Sequence, residues 1–285
     1  MLNVKEYVQK WKNALKEKIA KLARKPKLII VQLGDVEASN RYVRNKIKDA
    51  KEVGIEASLV KMTGDEFYSE DDLRDYVGRL AQHCDGIIVQ LPLPEKFKDV
   101  KRILEKVPAH KDVDGLSGKP GAQIPCTPLG MMKFINDTNL VDKTYKKALV
   151  IGRSELVGRP MAKLLLDNDY TVTVCHSKSG EFAIRHLAED WADLVVCAVG
   201  RRNFLDCTYI DVPVIDVGIN FDENGKLCGD CYVRHEKQND LRSPVPGGVG
   251  LLTRCALLEN TVRSYEQEEK ENGNEITIRE PEQKG

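Results

Sequence analysis

The sequence has little that would tie it to a membrane or to a nucleic acid. No apolar run approaches the roughly 20 residues that cross a bilayer. The formal net charge is also zero, because 44 Lys and Arg residues balance 44 Asp and Glu residues. That balance argues against a role driven by bulk electrostatics, although it leaves room for a local basic pocket. We therefore expect neither a membrane nor a nucleic acid as a partner.

The sequence also lacks the two cysteine pairs of a complete zinc site. The eight cysteines are scattered along the chain, and several fall in strand-like apolar runs, so we expect buried free thiols. Cys228 and Cys231 have the spacing of half a zinc site, but no second pair accompanies them and we expect no metal. The Lys-rich N-terminus has no apolar signal core. Together these features predict a reducing cytoplasm.

What the chain does have is an alternation of strands and helices. Its 285 residues suggest two domains, and the alternation predicts an α/β fold with parallel sheets and helices on their faces. The domains are predicted over residues 1–138 and 139–255, with the C-terminal helix region 256–285 packing back on the first. Predicted strands cover residues 27–33, 57–61, 85–90, 147–152, 171–175, 193–199 and 214–218, and predicted helices cover 3–24, 39–54, 70–83 and 253–263.

One helix concentrates residues suited to proton transfer. Ser39, Tyr42 and Lys46 fall on one narrow face of it, beside an apolar face that should enter the core. A lysine that loses water beside an aromatic ring becomes a usable proton acceptor near neutral pH. A helix-capping serine followed by ordinary surface residues would explain the same pattern.

Two further polar residues belong to the same region. Ligands of parallel sheets bind beyond the carboxyl ends of the strands, where Gln90 ends the third strand and the helix with Lys46 follows the first. The segment around Asp114 then supplies carboxylates in a loop. We therefore predict a site at this edge of the first sheet.

The second domain begins with a strand that ends in a glycine-containing turn. Gly152-Arg153-Ser154 follows this strand, and Gly158 opens the next helix. Such a turn holds dinucleotide pyrophosphates, because free backbone N–H groups and the helix dipole face the phosphates. Ser154 replaces the second glycine of the usual pattern, so only the placement between strand and helix makes the motif informative.

The next strand ends in His176-Ser177-Lys178, without the acid that usually accepts hydrogen bonds from the ribose of NAD. Ser177 and Lys178, together with Arg153, would suit a 2′-phosphate, so the chemistry favours NADP. A solvated polar strand end is the alternative. Later, the loop Pro244–Gly250 has glycines that let the backbone approach a flat ligand.

Six motifs in order give the chain a specific resemblance. It resembles the bifunctional methylenetetrahydrofolate dehydrogenase/methenyltetrahydrofolate cyclohydrolase family over about residues 1–262. The motifs are Ser39-x-x-Tyr42-Val-x-x-Lys46, Val89-Gln-Leu-Pro-Leu-Pro94, Lys111-Asp-Val-Asp-Gly115, Pro125-Cys-Thr-Pro-Leu-Gly130, Val150-Ile-Gly-Arg-Ser-x-x-Val-Gly-x-Pro160 and Pro244-Val-Pro-Gly-Gly-Val-Gly250.

The resemblance implies oxidation of methylenetetrahydrofolate with NADP, followed by hydrolysis of the methenyl product to 10-formyltetrahydrofolate. It implies an N-terminal catalytic domain facing a Rossmann-like NAD(P)-binding domain across a cleft. Lys46 would be the catalytic lysine, Gln90 would hydrogen-bond to it, and Tyr42 would stack on the folate. Ser39 would support this face, and Asp114 would accept hydrogen bonds from the pterin. The loop residues Pro246, Gly247 and Gly248 would also contact the substrate.

The cofactor residues follow from the same resemblance. Those expected to hold NADP are Gly152, Arg153, Ser154, Gly158, His176, Ser177, Ile219 and Thr253. A homodimer formed through the cofactor domains is implied as well. Glu37 and the pair Leu251-Leu252 depart from the family pattern, which leaves the loop before the Lys46 helix and the rigidity of the loop near the nicotinamide as open questions.

Three other interpretations remain at this stage. The chain could be a dehydrogenase with little cyclohydrolase activity, which retention of Lys46 and Gln90 argues against. It could be a binding module that takes up NADP without turnover. Dehydrogenases of shikimate-like acids share the two-domain layout, but they do not explain Tyr42, Lys46 and Asp114 in these motifs.

Overall fold

The computed structural model describes residues 1–97, 99–236 and 238–273. The chain forms two compact units, and neither is continuous in sequence. One contains Lys10–Cys126 and the chain from Arg254 onward, and we call it the Lys46 unit. The other contains Met1–Gln9 and Thr127–Thr253, and we call it the Gly152 unit. The predicted boundary between residues 138 and 139 stays a prediction.

The Lys46 unit is built on a parallel sheet in the order β2-β1-β3. The chain runs from β1 to one side and then returns to the other, so the strand order reverses between β1 and β3. Such a reversal opens a crevice at the carboxyl ends of these two strands. Its elements are β1 (Lys27–Leu33), α2 (Glu37–Val53), β2 (Glu56–Met62), α3 (Glu70–Leu80), β3 (Gly86–Val89) and α4 (Val100–Ile103), preceded by α1 (Val4–Ala20), which begins in the other unit.

Local sequence explains where these elements start and how they pack. Ser69 caps α3 in a box with Asp72, each side chain bonding the other's backbone N–H. Apolar residues of β1 and β3 form the core under α3, and Val31, Ile87 and Leu73 are fully buried in it. The predicted strand 27–33 is confirmed to the residue, while the first helix ends at Ala20 rather than residue 24.

The Gly152 unit contains a four-stranded parallel sheet in the order β5-β4-β6-β8. Its order reverses between β4 and β6, which again marks a ligand crevice. The elements are α5 (Cys126–Asp137), β4 (Lys146–Ile151), α6 (Gly158–Leu166), β5 (Tyr170–Cys175), α7 (Glu181–His186), β6 (Leu194–Cys197), β7 (Leu205–Asp206), β8 (Val214–Asp216), β9 (Asn220–Phe221), β10 (Leu227–Cys228) and β11 (Cys231–Tyr232). Helix α8 (Val249–Glu271) starts in this unit, and its residues from Arg254 belong to the Lys46 unit.

The two-domain α/β fold with parallel sheets is confirmed, with one correction at its end. The closing helix was expected over residues 253–263, but α8 runs from Val249 to Glu271. The short run Ile276–Ile278 and the rest of the predicted region up to residue 285 lie outside the described residues. All eight cysteines are free thiols, and six of them are buried. Within the described ranges, no helix is both long and apolar enough to cross a membrane.

Candidate active site and cofactor site

Helix α2 carries Lys46 into the interior of its unit. The residue is only 8% exposed, while Tyr42, one turn earlier, is 36% exposed. Asp49 fixes the next turn, because its carboxylate pairs with Lys12 at 2.7 Å and with Arg254 at 2.6 Å. Helix α2 therefore carries a buried ammonium and, one turn earlier, an accessible aromatic ring.

Among the buried polar atoms that have no hydrogen-bond partner in the described part of the chain, two belong to predicted site residues. One is the Ser39 hydroxyl, which lies inside α2 rather than at its cap, since the helix begins at Glu37. The other is the Gln90 side-chain oxygen. The Gln90 amide nitrogen donates to the Leu91 carbonyl at 2.7 Å. The Lys46 ammonium could donate only to the Gln90 oxygen, and no described residue donates to that oxygen, so the predicted hydrogen bond between Gln90 and Lys46 is not formed. Buried atoms without partners are costly, and they are the kind that a polar ligand satisfies.

Asp114 reaches Lys46 from a loop that a neighbouring carboxylate holds. The Lys46 ammonium lies 3.6 Å from the Asp114 carboxylate. Asp112 accepts hydrogen bonds from the Ser117 and Gly115 backbone at 2.7 and 3.2 Å, and burial raises the pKa of Asp112 above its usual value. The loop turns at Gly115, whose φ of +72° suits glycine and where an added Cβ would lie 2.6 Å from the Pro125 nitrogen.

Cys126 and Asn260 complete this side of the site, and neither was predicted to take part. The Cys126 thiol donates to the Val113 carbonyl at 3.1 Å. Burial raises the pKa of this thiol well above its usual value; Asp114 acts in the same direction and Lys46 opposes it. Asn260, on α8, donates to the carbonyls of Val113 and Ile124 at 3.0 and 3.2 Å. These bonds fix the loop on both sides of Asp114.

In the Gly152 unit, the turn after β4 packs closely against the end of β6. Gly152 has a φ of +122°, and a Cβ there would lie 2.2 Å from the Ala198 carbonyl oxygen. A Cβ on Gly158 would lie 2.3 Å from the Gly152 oxygen. The replaced glycine, Ser154, accepts hydrogen bonds from the Val157 and Gly158 N–H groups at 3.2 and 3.3 Å. Its hydroxyl therefore caps two of the N–H groups that the sequence left free for phosphates.

A cavity of about 370 Å³ opens beside this turn. Among its lining residues are five of the predicted cofactor residues, namely Gly152, Arg153, Ser154, His176 and Ser177. His176 begins a tight turn, in which its backbone N–H donates to Ser179 at 3.0 Å and its Nδ1 accepts from the Lys178 N–H at 3.2 Å. A glycine turn, a guanidinium and hydroxyls around one concave space fit an adenine dinucleotide.

Several predicted residues do not line this cavity. Gly158 packs behind the turn, Ile219 is 55% exposed after β8, and Thr253 donates to the Val249 carbonyl within α8 at 3.0 Å. Lys178 is not a lining residue either. The loop with Pro246, Gly247 and Gly248 belongs to the Gly152 unit, while Lys46 and Asp114 belong to the other. Their contribution to one folate site stays a prediction.

The cavity also contains residues that the sequence did not reveal. Glu181, at the start of α7, and Arg201, after β6, both line it together with Phe204. The Arg201 backbone is anchored by Asp230, a fully buried carboxylate that accepts from the N–H groups of Val199, Gly200 and Arg201 at 2.7, 2.8 and 2.9 Å. The small-residue turn at Val199-Gly200 could be recognised in the sequence. That turn does not indicate that Arg201, the next residue, lines the cavity.

The fold and the cavity define a two-domain α/β enzyme class with a nicotinamide-dinucleotide domain. Family models agree: residues 2–114 match the catalytic domain of tetrahydrofolate dehydrogenase/cyclohydrolase, and residues 125–269 match its NAD(P)-binding domain. The chain belongs to the tetrahydrofolate dehydrogenase/cyclohydrolase family. The resemblance seen in the motifs is thereby confirmed.

Individual relatives cover nearly the whole chain. A bifunctional protein FolD of Campylobacter hominis is 41% identical over 281 residues, covering 93% of this chain and 96% of that protein. The crystal structure of bifunctional FolD from Campylobacter jejuni has a TM-score of 0.80 at 35% identity, covering 93% of this chain and 98% of that chain. A Trypanosoma brucei methylenetetrahydrofolate dehydrogenase-cyclohydrolase, solved with NADP and an inhibitor, has a TM-score of 0.80 at 28% identity, covering 94% and 97%.

Proposed function

We propose that this protein is a bifunctional folate enzyme. It oxidises 5,10-methylenetetrahydrofolate to 5,10-methenyltetrahydrofolate with NADP and hydrolyses that product to 10-formyltetrahydrofolate. The observation that carries the proposal is the buried Lys46 ammonium 3.6 Å from Asp114, in a chain of this family. A non-catalytic binding module would have no use for such a desolvated pair, which is costly to bury.

The pterin is held at Asp114. The amino-pyrimidine edge offers two neighbouring donors, which one carboxylate can accept with its two oxygens. Asp114 exchanges its contact with Lys46 for these donors, so substrate binding and release of the lysine are coupled. Tyr42, exposed beside Lys46, stacks on the aromatic part of the folate. Ser39 and Gln90 each offer the ligand a buried oxygen that has no partner among the described residues.

Lys46 serves the hydrolysis. Water adds to the methenyl carbon of the cationic ring and loses a proton, and the ring C–N bond then breaks with a proton delivered to the leaving nitrogen. Lys46 takes part in these transfers, which contribute about 10²- to 10⁴-fold for a positioned side chain. Burial of Lys46 keeps bulk water from competing for its proton.

The dehydrogenation needs positioning more than acid–base chemistry. When bound, NADP accepts a hydride at its nicotinamide ring, and the lone pair of the substrate nitrogen expels that hydride. The chain holds the cofactor by the turn Gly152–Ser154 and by the polar end of β5, including His176 and Ser177. Ile219 and Thr253 would lie near the nicotinamide end of the cofactor, and Pro246, Gly247 and Gly248 would contact the substrate. Positioning of the two reactants would then supply the rate enhancement.

The assembly and location follow from the family rather than from this chain's geometry. We propose a homodimer joined through the cofactor domains, acting in the cytoplasm. Sedimentation of the purified protein tests the dimer, since a mass of one chain at micromolar concentration would contradict it.

The test of function compares wild type with Lys46→Met during turnover of methylenetetrahydrofolate, followed by absorbance. Wild type should form NADPH and formyltetrahydrofolate. Lys46→Met should lose hydrolysis of the methenyl product by at least about a hundredfold, because the proton-transfer group is gone. Lys48→Met is the matched control, since Lys48 lies on the same helix with its side chain exposed.

Two outcomes would contradict the proposal. If wild type binds NADP but shows neither reduction nor hydrolysis, the chain is a binding module. If Lys46→Met hydrolyses the methenyl substrate as fast as Lys48→Met does, Lys46 has no part in the chemistry.

A further inference from the structure

The NADP cavity contains a carboxylate that an NADP site does not need. Glu181 lines it, close in sequence to His176 and Ser177 at the end of β5. In sites that prefer NAD, an acid in this region accepts hydrogen bonds from the ribose 2′-hydroxyl. The strand end itself has no acid, but the chain brings Glu181 to the same cavity with the first residue of α7.

A guanidinium from the other side of the cavity faces this carboxylate. Arg201 Nη2 lies 3.5 Å from Glu181 Oε1, and both side chains are largely exposed, at 61% and 88%. The guanidinium also stacks on Phe204, 4.6 Å from the ring centroid. Its backbone is held by the buried Asp230. Arg201 is therefore oriented from two directions, although the ion pair itself is weak in water.

The charges of the cavity make this pair important for the ligand. Its ionisable lining residues are Arg153, His176, Glu181 and Arg201. A free carboxylate repels a 2′-phosphate, which carries nearly two negative charges at neutral pH. A guanidinium binds phosphate oxygens through parallel hydrogen bonds. Because the pair is exposed and the guanidinium has five N–H donors, Arg201 can bind a phosphate while it stays beside Glu181.

We propose that Glu181 and Arg201 form a charge pair that sets the choice between NADP and NAD. With NADP, Arg201 neutralises Glu181 and contacts the 2′-phosphate beside Arg153 and Ser177. With NAD, Glu181 accepts a hydrogen bond from the ribose 2′-hydroxyl. The inference rests on the proposed use of an adenine dinucleotide, and it makes cofactor preference a property of two exposed side chains.

Titration calorimetry with two cofactor fragments tests the pair without any turnover. The fragments are adenosine 2′,5′-bisphosphate, which has the 2′-phosphate, and 5′-AMP, which has a free 2′-hydroxyl. Arg201→Gln should weaken the bisphosphate about tenfold and leave 5′-AMP within about twofold. Glu181→Gln should tighten the bisphosphate about threefold and weaken 5′-AMP about threefold. In the double variant, the loss caused by Arg201→Gln should be smaller than in wild type.

A neighbouring ion pair provides the matched control. Arg202 pairs with Glu223 at 2.8 Å, and neither residue lines the cavity. Arg202→Gln and Glu223→Gln should leave the affinities for both fragments unchanged.

Three results would overturn the inference. If Arg201→Gln weakens both fragments equally, Arg201 does not read the 2′-phosphate. If Glu181→Gln changes neither affinity, the carboxylate has no role in the choice. If wild type binds neither fragment, the proposed cofactor itself is wrong, which is a separate failure because it appears without any substitution.

Discussion

Charged side chains at the two sites differ in how much water they meet. The Lys46 and Asp114 side chains are 10% and 20% exposed, whereas those of Arg201 and Glu181 are 61% and 88% exposed. In the first site, buried partners such as Asp49 and Asp112 hold the groups in place. In the second, a rigid backbone carries side chains that reach into water.

Because of this difference, substitutions of charged residues should have different effects at the two sites. Removing one partner of a buried pair leaves the other without solvation, so effects there should be large and should concern the reaction. Exposed charges are screened, so effects there should be moderate and should concern affinity. The close backbone contact at Gly152 is the exception in the cofactor site, and it gives the first and largest prediction.

Gly152→Ala should abolish cofactor binding while the hydrolysis of methenyltetrahydrofolate survives. The added Cβ would lie 2.2 Å from the Ala198 oxygen at a φ of +122°. The turn must then move, at a cost of about 4 kcal/mol, which weakens NADP binding about a thousandfold by calorimetry. Gly225→Ala is the control, because Gly225 also has a positive φ but no atom lies within 4 Å of its added Cβ. An equal loss of NADP affinity in both variants would contradict a local cause at the Gly152 turn.

Asn260→Ala should destabilise the Lys46 unit by about 3 kcal/mol, because the buried carbonyls of Val113 and Ile124 lose their donor. Chemical denaturation measures the loss, and KM for folate should rise as the Asp114 loop loosens. Gln267→Ala, on the same helix, removes only an exposed bond to Glu271 and should cost little. Equal stability of the two variants would contradict the anchoring role of Asn260.

Asp114→Asn should lower kcat/KM of both folate reactions about thirtyfold, equivalent to about 2 kcal/mol for hydrogen bonds to a charged acceptor. The affinity for NADP should not change, because Asp114 lies in the other unit. Steady-state kinetics with each substrate, alongside the exposed Asp65→Asn variant, makes this measurement. A loss confined to hydrolysis would assign Asp114 to the lysine rather than to the pterin.

Asp193→Asn should destabilise the Gly152 unit by about 1 kcal/mol at pH 7. Burial alone would raise the pKa of Asp193, but Lys143 at 2.5 Å and the Lys147 N–H at 2.9 Å lower it below its ordinary value of 3.8. A lowered pKa stabilises the fold above pH 3.8, and this contribution is lost as the pH falls through the native pKa. Wild type and variant should therefore converge in acid, whereas the exposed Asp142→Asn should match wild type throughout.

Much of the fold could be predicted because its signals are local. The strand before the cofactor turn was predicted over residues 147–152, because a buried apolar run followed by glycine is typical of a strand that ends in a turn. The observed strand is Lys146–Ile151. The common face of Ser39, Tyr42 and Lys46 depends only on helical period, so it could be predicted as well. The family motifs then gave these residues their expected roles.

The rest depends on contacts between distant segments. Asn260 donates to carbonyls 147 and 136 residues away in the sequence. The sequence pattern of α8 does not indicate these two contacts. Glu181 was missed because the usual position for such an acid is the strand end, which has none here, whereas the first residue of α7 brings one to the cavity. The hydrogen bond expected between Gln90 and Lys46 is not formed, because the Gln90 oxygen accepts from no described residue while the amide nitrogen donates to the Leu91 carbonyl.

Helix α8 has a consequence for how the molecule is made. Its first turn, up to Thr253, belongs to the Gly152 unit, while the chain from Arg254 belongs to the Lys46 unit. On the ribosome, the whole Gly152 unit has therefore been synthesised before Asn260 appears. The Gly152 unit is completed first, although residues 10–126 of the Lys46 unit are synthesised before most of it. A nascent chain ending at residue 253 contains every residue that lines the cofactor cavity, but it lacks Asn260, which anchors the loop of Asp114.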